Sequence, residues 1–598
     1  MKPKKESKEN KKHSVDTILN IENKDNSKKS KFSSLRITII FSILIAIICI
    51  ALSPVTFQND TFYTIEIGRN ISENGIDMQD PFSWHEDLAY TYPHWLYDYI
   101  TYIIYNLFGF IGIYISTCIL SAILGISTYL VSSKLTKNNI ITFFVTVGAM
   151  YVLKDQIAAR AQLVTFILFI WTIFFIERFI KTKKIGYAIP LIIIPIAIAN
   201  IHVAVFPFYF ILFLPYIAEY MIAQTGDLIV YKKFKILKLK FRIKYLNNKL
   251  FEEFEIDPSK KISVKNSKTD INEKVEKLKE ELDEIKQKVV KIKIKRTKNL
   301  KNPYKLKIRN NKNVKWLILV MIIALFTGFL TPLGTTPYTY LFDTMRGNTT
   351  GNINEHLPIE LSESTEALIV LIIFLAILSF TKTKIRLSDL FMFGGLTYLM
   401  LDSRRQTSMF ALVGAVIISR MIVDLIHEYD KIVFEDIEKQ MKSKLTIVFL
   451  IVSTIVFSIY LAKDKFDDNI VNENDYPVAA SEYILKNLNL DEIRLYNDYN
   501  YGSYLLFKGI PVFIDSRADL YAPEFSGKEE DIFMDYIETS GLAKYYEDTF
   551  EKYGITHVIL FQDSKMNMII KETEKKAKVQ EYYELYSDDR FVIYQIIE

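Results

Sequence analysis

The sequence predicts a mainly α-helical, polytopic membrane protein with a C-terminal extracytoplasmic α/β domain. Three observations predict it. Apolar runs of roughly membrane-spanning length recur along the 598 residues. Highly charged stretches separate them, so that 50% apolar residues coexist with 24% charged ones. After residue 462 the pattern changes to mixed charge with short strand-like segments. Length alone suggests several soluble domains, a guide that fails when much of a chain is lipid-embedded. Cys49 and Cys118 both lie inside apolar runs, so no disulfide framework or Cys-based metal site is available. The net charge of +5 matters less than its placement. Lys concentrates in 1–35 and 225–314, as the cytoplasmic flanks of a membrane protein require, with no need of a nucleic-acid partner.

Residues 1–35 form a Lys-rich cytoplasmic tail, too long and polar to open a secretory signal, and no small-residue cleavage site follows. The run 36–54 therefore reads as a retained first span. Further runs lie near 112–133, 139–153, 163–180, 185–200, 203–223, 315–332, 366–381, 387–401, 407–424 and 444–462. The stretch "WLYDYITYIIYNLFGF" (95–110) could be a span of its own. Basic residues decide. With one crossing in 95–133, "SSKLTK", "KTKK", 225–314, "KTKIR" and 425–443 all fall inside. A second crossing would put Lys134, Lys137, Lys181, Lys183 and Lys184 outside. About eleven crossings follow, with 95–108 as an interfacial or re-entrant helix. The chain then divides into an N-terminal membrane module, 36–224, with a long first outer loop, 55–111; a cytoplasmic loop, 225–314; a C-terminal membrane module, 315–462; and the outer domain, 463–598.

Within the cytoplasmic loop, Ile271, Val275, Leu278, Leu282, Ile285, Val289 and Ile292 step by four and three between Glu and Lys. This is the stripe of an amphipathic helix or short coiled coil. It reads either as a solvated charged helix or as a surface for a cytoplasmic partner through 267–298. In the outer domain "VFID", "THVILF" and "FVIYQII" are strand-like and alternate with helix-like acidic stretches. No repeat of 20–50 residues is visible.

The outer loops hold the polar clusters: 57–99, "KDQIAARAQ" (154–162), "NIHV" (200–203), "NTTGNINEHLPIELSEST" (348–365) and "LDSRRQT" (401–407). The inner connections are plain Lys-rich linkers. Ionisable residues at a membrane edge are expensive and mark function by default, so the polarity points to a site at the outer surface. The layout resembles the GT-C class of membrane glycosyltransferases, in particular bacterial relatives of the mannosyltransferase and aminoarabinose-transferase types. An Asp followed by "GRNISENG", "DPFSW" and "HWL" is similar to the long first outer loop of that class. "RAQ" resembles its Arg-Pro-Gln element, "ANIH" its Asn-x-His element and "NEHLPIE" its Glu-Trp-x-Pro element. "YNDYNYGSYLLFKGIPVFIDSRADLY" resembles its outer-domain signature. The resemblance runs from residue 36 to the C-terminus, excluding 225–314. Three positions depart from it: Ala161 replaces Pro, no acidic residue follows His94, and Val203 stands where Gly is usual.

The resemblance implies sugar transfer from a polyprenyl-phosphate-type donor to an extracytoplasmic glycan, lipid or protein acceptor at the membrane boundary. A carboxylate suits the acceptor proton, and Arg suits the leaving phosphate. Asp60, just after the first span, reads as the base or acceptor-orienting group, or as a helix cap or loop ion pair. Asp80 is the second candidate, although Asp-Pro also initiates turns. Arg160, Gln162, Arg404 and Arg405 are the donor-phosphate candidates, with structural pairing as the alternative. Trp84, His94, Trp95, His202, Glu355 and His356 are candidates for sugar or acceptor contact. For the two Trp residues an interfacial anchor is the competing role; for His202 it is an ordinary hydrogen-bonded histidine. Asp515, Arg517 and Asp519 at the end of "VFIDSRADLY" read as a turn-holding pair or an acceptor contact. No cofactor is indicated; a divalent metal is compatible, but no metal-ligand motif is visible. The missing Gly-rich phosphate loop and HExxH leave a nucleotide-driven pump or zinc protease without machinery. A lipid-linked-sugar transporter or flippase should place polar residues at mid-membrane and show similar halves. A non-catalytic envelope assembly protein would not need Asp60.

The topology is testable by labelling. In a background without Cys49 and Cys118, single cysteines near Asp60, Gly351 and Asp519 should react with a membrane-impermeant thiol reagent in intact cells, while one near Lys279 stays protected. The opposite pattern would invert the arrangement.

Overall fold

All eleven apolar runs are helical in the computed structural model, which describes residues 35–225, 232, 235–245, 261–299, 305–360, 364–429, 439–440, 443–577 and 581–597. The first six helices are α1 (Leu35–Leu52), α2 (Asn59–Asn74), α3 (Trp95–Thr136), α4 (Asn139–Val152), α5 (Gln162–Thr182) and α6 (Ile185–Ile201). Among the described residues, six helices are long and apolar enough to cross a membrane: α1, α3, α5, Val203–Gln224, Arg404–Tyr429 and Lys444–Ala462. Shorter apolar helices are α4, α6, Val314–Phe329 and Thr365–Phe380. The chain is a multi-pass membrane protein.

The helices run alternately between two ends of one bundle, as side-chain ties at each end show. At one end Arg178 donates to Lys134 O at 3.1 Å, and Asn313 to Ile180 O at 2.8 Å. There Arg309 pairs with Glu219 at 3.1 Å, and Arg420 with Asp389 at 2.5 Å. At the other end Val203 N donates to Pro93 O at 2.9 Å, and Asn200 to Leu330 O at 2.9 Å. Lys465 there donates to Ala51 O and Ser53 O, at 2.6 Å each. The 95–110 stretch is a separate segment of α3, because the helix breaks at Gly109 with φ +62°, a conformation glycine adopts without a Cβ clash. Its first turns lie against α2 so closely that a Cβ on Gly68 would stand 2.1 Å from Asp98 O.

The stripe in the long loop is used within the chain. In the helix Lys261–Asn299, Leu278, Leu282 and Ile285 pack on Ile236, Leu239 and Ile243 of a second helix over 235–245. Lys235 and Glu281 close this hairpin at 2.7 Å. The Ile271 and Ile292 side chains lie outside the described residues.

Beyond the apolar helix Lys444–Ala462 a four-stranded sheet forms in the order Leu495–Tyr496, His557–Phe561, Phe591–Ile596, Tyr582–Ser587. The first pair is parallel and the other two antiparallel. "THVILF" and "FVIYQII" are strands as expected, but "VFID" is not. Its backbone is satisfied by a side chain: Asn497 accepts from Phe513 N at 2.9 Å and donates to Ile514 O at 2.7 Å. Gly502 presses on the same carbonyl, where a Cβ would come within 2.0 Å. Only Val512 makes a bridge, and it does so with Ser83 of the first outer loop.

That bridge belongs to a wider junction. The first outer loop and the C-terminal region share one hydrophobic core, in which Phe62 of α2 meets Tyr476, Tyr504 and Phe507. Trp84 donates to Leu495 O at 3.0 Å, and a His85 ring nitrogen lies 3.0 Å from Phe513 O. Arg517 grips Asp515 at 2.7 Å and Asp80 at 2.6 Å, with all three side chains buried. Breaking a buried pair strands the remaining charge at a cost of about 3–5 kcal/mol. Arg517→Met should therefore lower the unfolding midpoint of the outer unit by a corresponding amount. An unchanged midpoint would show that this network does not hold the loop.

Candidate active site

Four chain breaks at one end of the bundle, the end opposite the Glu219–Arg309 pair, bring the site residues together. Asp60 lies in the first turn of α2, where the helix dipole favours a carboxylate. Arg160 occupies the turn between α4 and α5. Glu355 and His356 lie in the short helical turn Asn354–His356, and Arg405 lies in a second such turn, Arg404–Gln406. Backbone bonds join these two turns: Arg404 N donates to Leu357 O at 3.0 Å, and Ile359 N to Leu401 O at 3.3 Å.

The Arg160 guanidinium stands between two carboxylates. Its Nε is 2.9 Å from Asp60 Oδ2, an ionic contact without hydrogen-bond alignment. Its Nη1 donates to Glu355 Oε1 at 2.8 Å. Both acids remain reachable, with 22% of the Asp60 side chain and 39% of the Glu355 side chain exposed. Burial alone would raise the Glu355 carboxyl, but Arg160 and Arg405 together hold it below the ordinary value. For Arg160 burial works against the charge, and Asp60 and Glu355 more than restore it. Gln162, its amide turned oxygen-first, accepts from Arg405 Nε at 2.9 Å and Nη2 at 2.6 Å. This fixes one edge of the guanidinium and leaves the opposite edge for an anion. Below it a cleft descends between helices, lined by Phe166, Phe169, Phe208, Leu396, Leu399 and Met409.

His94 and His202 meet edge to face at 4.8 Å. Both ring nitrogens of His202 are buried and lack a hydrogen-bond partner among the described residues, as does the indole nitrogen of Trp95. A polar ligand would satisfy them. The remaining candidates sit elsewhere. Asp80 is held by Arg517 and by Ser83 N, its side chain wholly buried. Trp84 lies in the seam with the outer unit and not at a lipid boundary. Arg404 donates to Asn354 Oδ1 at 2.9 Å and so braces the turn that carries Glu355. Asp519 accepts from Tyr340 at 2.8 Å and Thr349 at 3.0 Å, fastening the outer unit over the site.

One residue near the site was not singled out from the sequence. Asp98, in the first turn of α3, is fully buried beside Thr64, and its carboxyl oxygens find no partner of good hydrogen-bond geometry. An acid inside the apolar stretch "WLYDYITYIIY" is itself the signal. Among the described residues, no three His, Cys, Asp or Glu side chains come together as a metal site.

The histidines give the site a pH signature. Burial, then Arg405 and Arg160, bring His94 to about 3. Burial, then Arg405, bring His356 to about 4, with Glu355 opposing. Burial, then His94 and Arg405, hold His202 well below the ordinary 6.5. All three are neutral at pH 7. The unfolded chain takes up their protons first as pH falls, so the stability they allow is complete above about 6.5 and is lost toward 4. The thermal midpoint should fall over that window, and fall less in His94→Gln and His356→Gln. Equal falls in all three proteins would place the titration elsewhere.

No family model and no curated protein sequence matches the chain. Solved structures do. The archaeal oligosaccharyltransferase AglB from Archaeoglobus fulgidus, in complex with an inhibitory peptide and a dolichol-phosphate, matches 95% of this chain and 75% of its own, at 11% identity and a TM-score of 0.50. The apo form of the Archaeoglobus fulgidus oligosaccharyltransferase matches 94% of this chain and 74% of its own, at 12% identity and a TM-score of 0.50. Likeness at such low identity speaks to architecture, and the architecture agrees with the order of the sequence motifs: the chain has the GT-C-type fold of membrane glycosyltransferases.

Proposed function

We propose that this chain is a membrane glycosyltransferase that moves a sugar from a polyprenyl-phosphate-type lipid donor to an acceptor outside the cytoplasm. The observation that carries this reading is the bridging of Asp60 and Glu355 by Arg160, with Arg405 beside them at the head of an apolar cleft. A lipid donor has the matching form: an apolar tail for the cleft and a phosphate for the open edge of Arg405. The dolichol-phosphate and inhibitory peptide bound to the archaeal AglB support a lipid-phosphate donor and an acceptor on one fold.

In this reading Asp60 accepts a hydrogen bond from the acceptor nucleophile and takes its proton as attack begins. The bond from the anomeric carbon to the phosphate oxygen breaks as the bond to the acceptor forms. The electron pair leaves with the phosphate, where Arg405 stabilises the growing charge. Arg160 holds Asp60 and Glu355 in place, so it positions the base more than it binds the donor. Neutral His94, His202 and His356 offer hydrogen bonds to sugar hydroxyls without adding charge. Asp80 and Trp84 act through the seam with the outer unit, and Arg404 acts through the Glu355 turn. The site then faces outward, the N-terminus lies in the cytoplasm and the C-terminal unit lies outside it.

Turnover of a radiolabelled polyprenyl-linked sugar in proteoliposomes tests these roles. Asp60→Asn should lower transfer by about 10²–10⁴-fold, the usual contribution of a general base, with donor binding retained. Arg405→Lys should weaken donor use more than Arg404→Lys, because a point charge does not reproduce a planar fork. Near-normal turnover by Asp60→Asn would remove it as the base, and equal donor dependence in both Lys variants would remove Arg405 from the phosphate.

A further inference from the structure

The hairpin in the long loop has a second face. Residues 231–250 carry seven Lys and one Arg and no Asp or Glu. Within the helix over 235–245, Ile236, Leu239 and Ile243 are turned toward the long helix. Leu237, Phe241 and Tyr245, spaced four apart, form another apolar stripe on the opposite side. This stripe is open, at 51%, 66% and 66% exposure. With about 100° between successive residues, Lys240 and Lys244 flank it on one side and Lys238 and Arg242 on the other. All four are exposed. A helix that merely solvated a loop would not place large apolar side chains in a row between cations.

The position of the helix matters as much as its pattern. The preceding helix ends at Thr225, and Lys232 follows seven residues later, so the link reaches at most about 25 Å. The chain leaves and re-enters the bundle at one end, where Glu219 meets Arg309, and this is the end opposite Asp60. The helix is thus tethered close to the bilayer plane on that side.

We propose that the helix over 235–245 lies on the membrane surface and binds anionic lipid, with Leu237, Phe241 and Tyr245 entering the acyl boundary and Lys238, Lys240, Arg242 and Lys244 holding the headgroups. An amphipathic helix with a narrow apolar face rimmed by Lys and Arg suits such an interface. The charge complement selects the occupant: a neutral surface would leave the cations without partners. The long helix Lys261–Asn299 packs on the other side of this helix, so its mixed Glu/Lys surface is turned toward solvent.

The test uses the full chain in nanodiscs holding one copy each, with Cys49 and Cys118 replaced. An environment-sensitive fluorophore is attached at Phe241→Cys or, as a control, at the exposed Lys279→Cys. In discs containing anionic phospholipid, emission from position 241 should shift to shorter wavelength and be quenched by brominated acyl chains. Position 279 should change in neither respect. Reversing the four cations to Glu should abolish the shift at 241 while the far-ultraviolet helix signal stays unchanged. An equal shift in purely zwitterionic discs would overturn the proposal by removing the charge requirement. A water-like probe at 241 in anionic discs would overturn it directly. A blue-shifted probe at 241 that brominated acyl chains do not quench would overturn it by showing that protein, from this chain or a second copy, covers the stripe.

Discussion

The candidate site of this protein depends on one guanidinium. Arg160 is contributed by a turn between two helices, and its two carboxylate partners come from far before and far after it in the sequence, Glu355 lying 195 residues on. Partly buried ions of like charge repel, and Asp60 and Glu355 converge only because a cation stands between them. Removing Arg160 would leave two acids facing each other at a membrane edge, where desolvation is costly. The bridge sets the spacing of α2, the α4–α5 turn and the Glu355 turn. The neighbouring guanidinium of Arg405, aligned by Gln162, stands near Glu355 and lines the head of the cleft.

Much of this arrangement is legible in residue order, and the illegible part has a common cause. Apolar length gives each helix, and the Gly109 break sets 95–108 apart from the rest of α3. The gathering of Asp60, Arg160, His202, Glu355 and Arg405 at one end of the bundle follows from loop polarity alone. Which neighbour of a pair faces the site does not. Asp60 and Asp80 are both acids in one loop, and only tertiary contact with Arg517 tells that Asp80 is sealed away. Arg404 and Arg405 are adjacent, and the turn between two helices sends one to Asn354 and the other to Gln162. "VFID" has the composition of a strand, but a single Asn side chain takes over its backbone bonds. Each divergence is a contact between residues far apart in sequence, which no local propensity records.

The seam between bundle and outer unit explains why the polar loops need not form domains of their own. Phe62, Tyr476, Tyr504 and Phe507 lie in one aromatic core, and Asp519 draws on hydroxyls from Tyr340 and Thr349. The floor and the roof of the site are therefore one folded body resting on the helix ends.

The shared core also orders events during biosynthesis. Asn59, beside the proposed base, donates to Tyr499 O across 440 residues of sequence. A ribosome adds only about 5–20 residues per second, so α2 emerges tens of seconds before its packing partners exist. Until the last helix is inserted and the C-terminal unit has reached the same side, Phe62 has Phe110 of α3 to pack against but not Tyr476, Tyr504 or Phe507. The part of the site made first is thus the last to gain all its packing, and a chain stalled anywhere before residue 476 holds Asp60 on an incompletely packed helix.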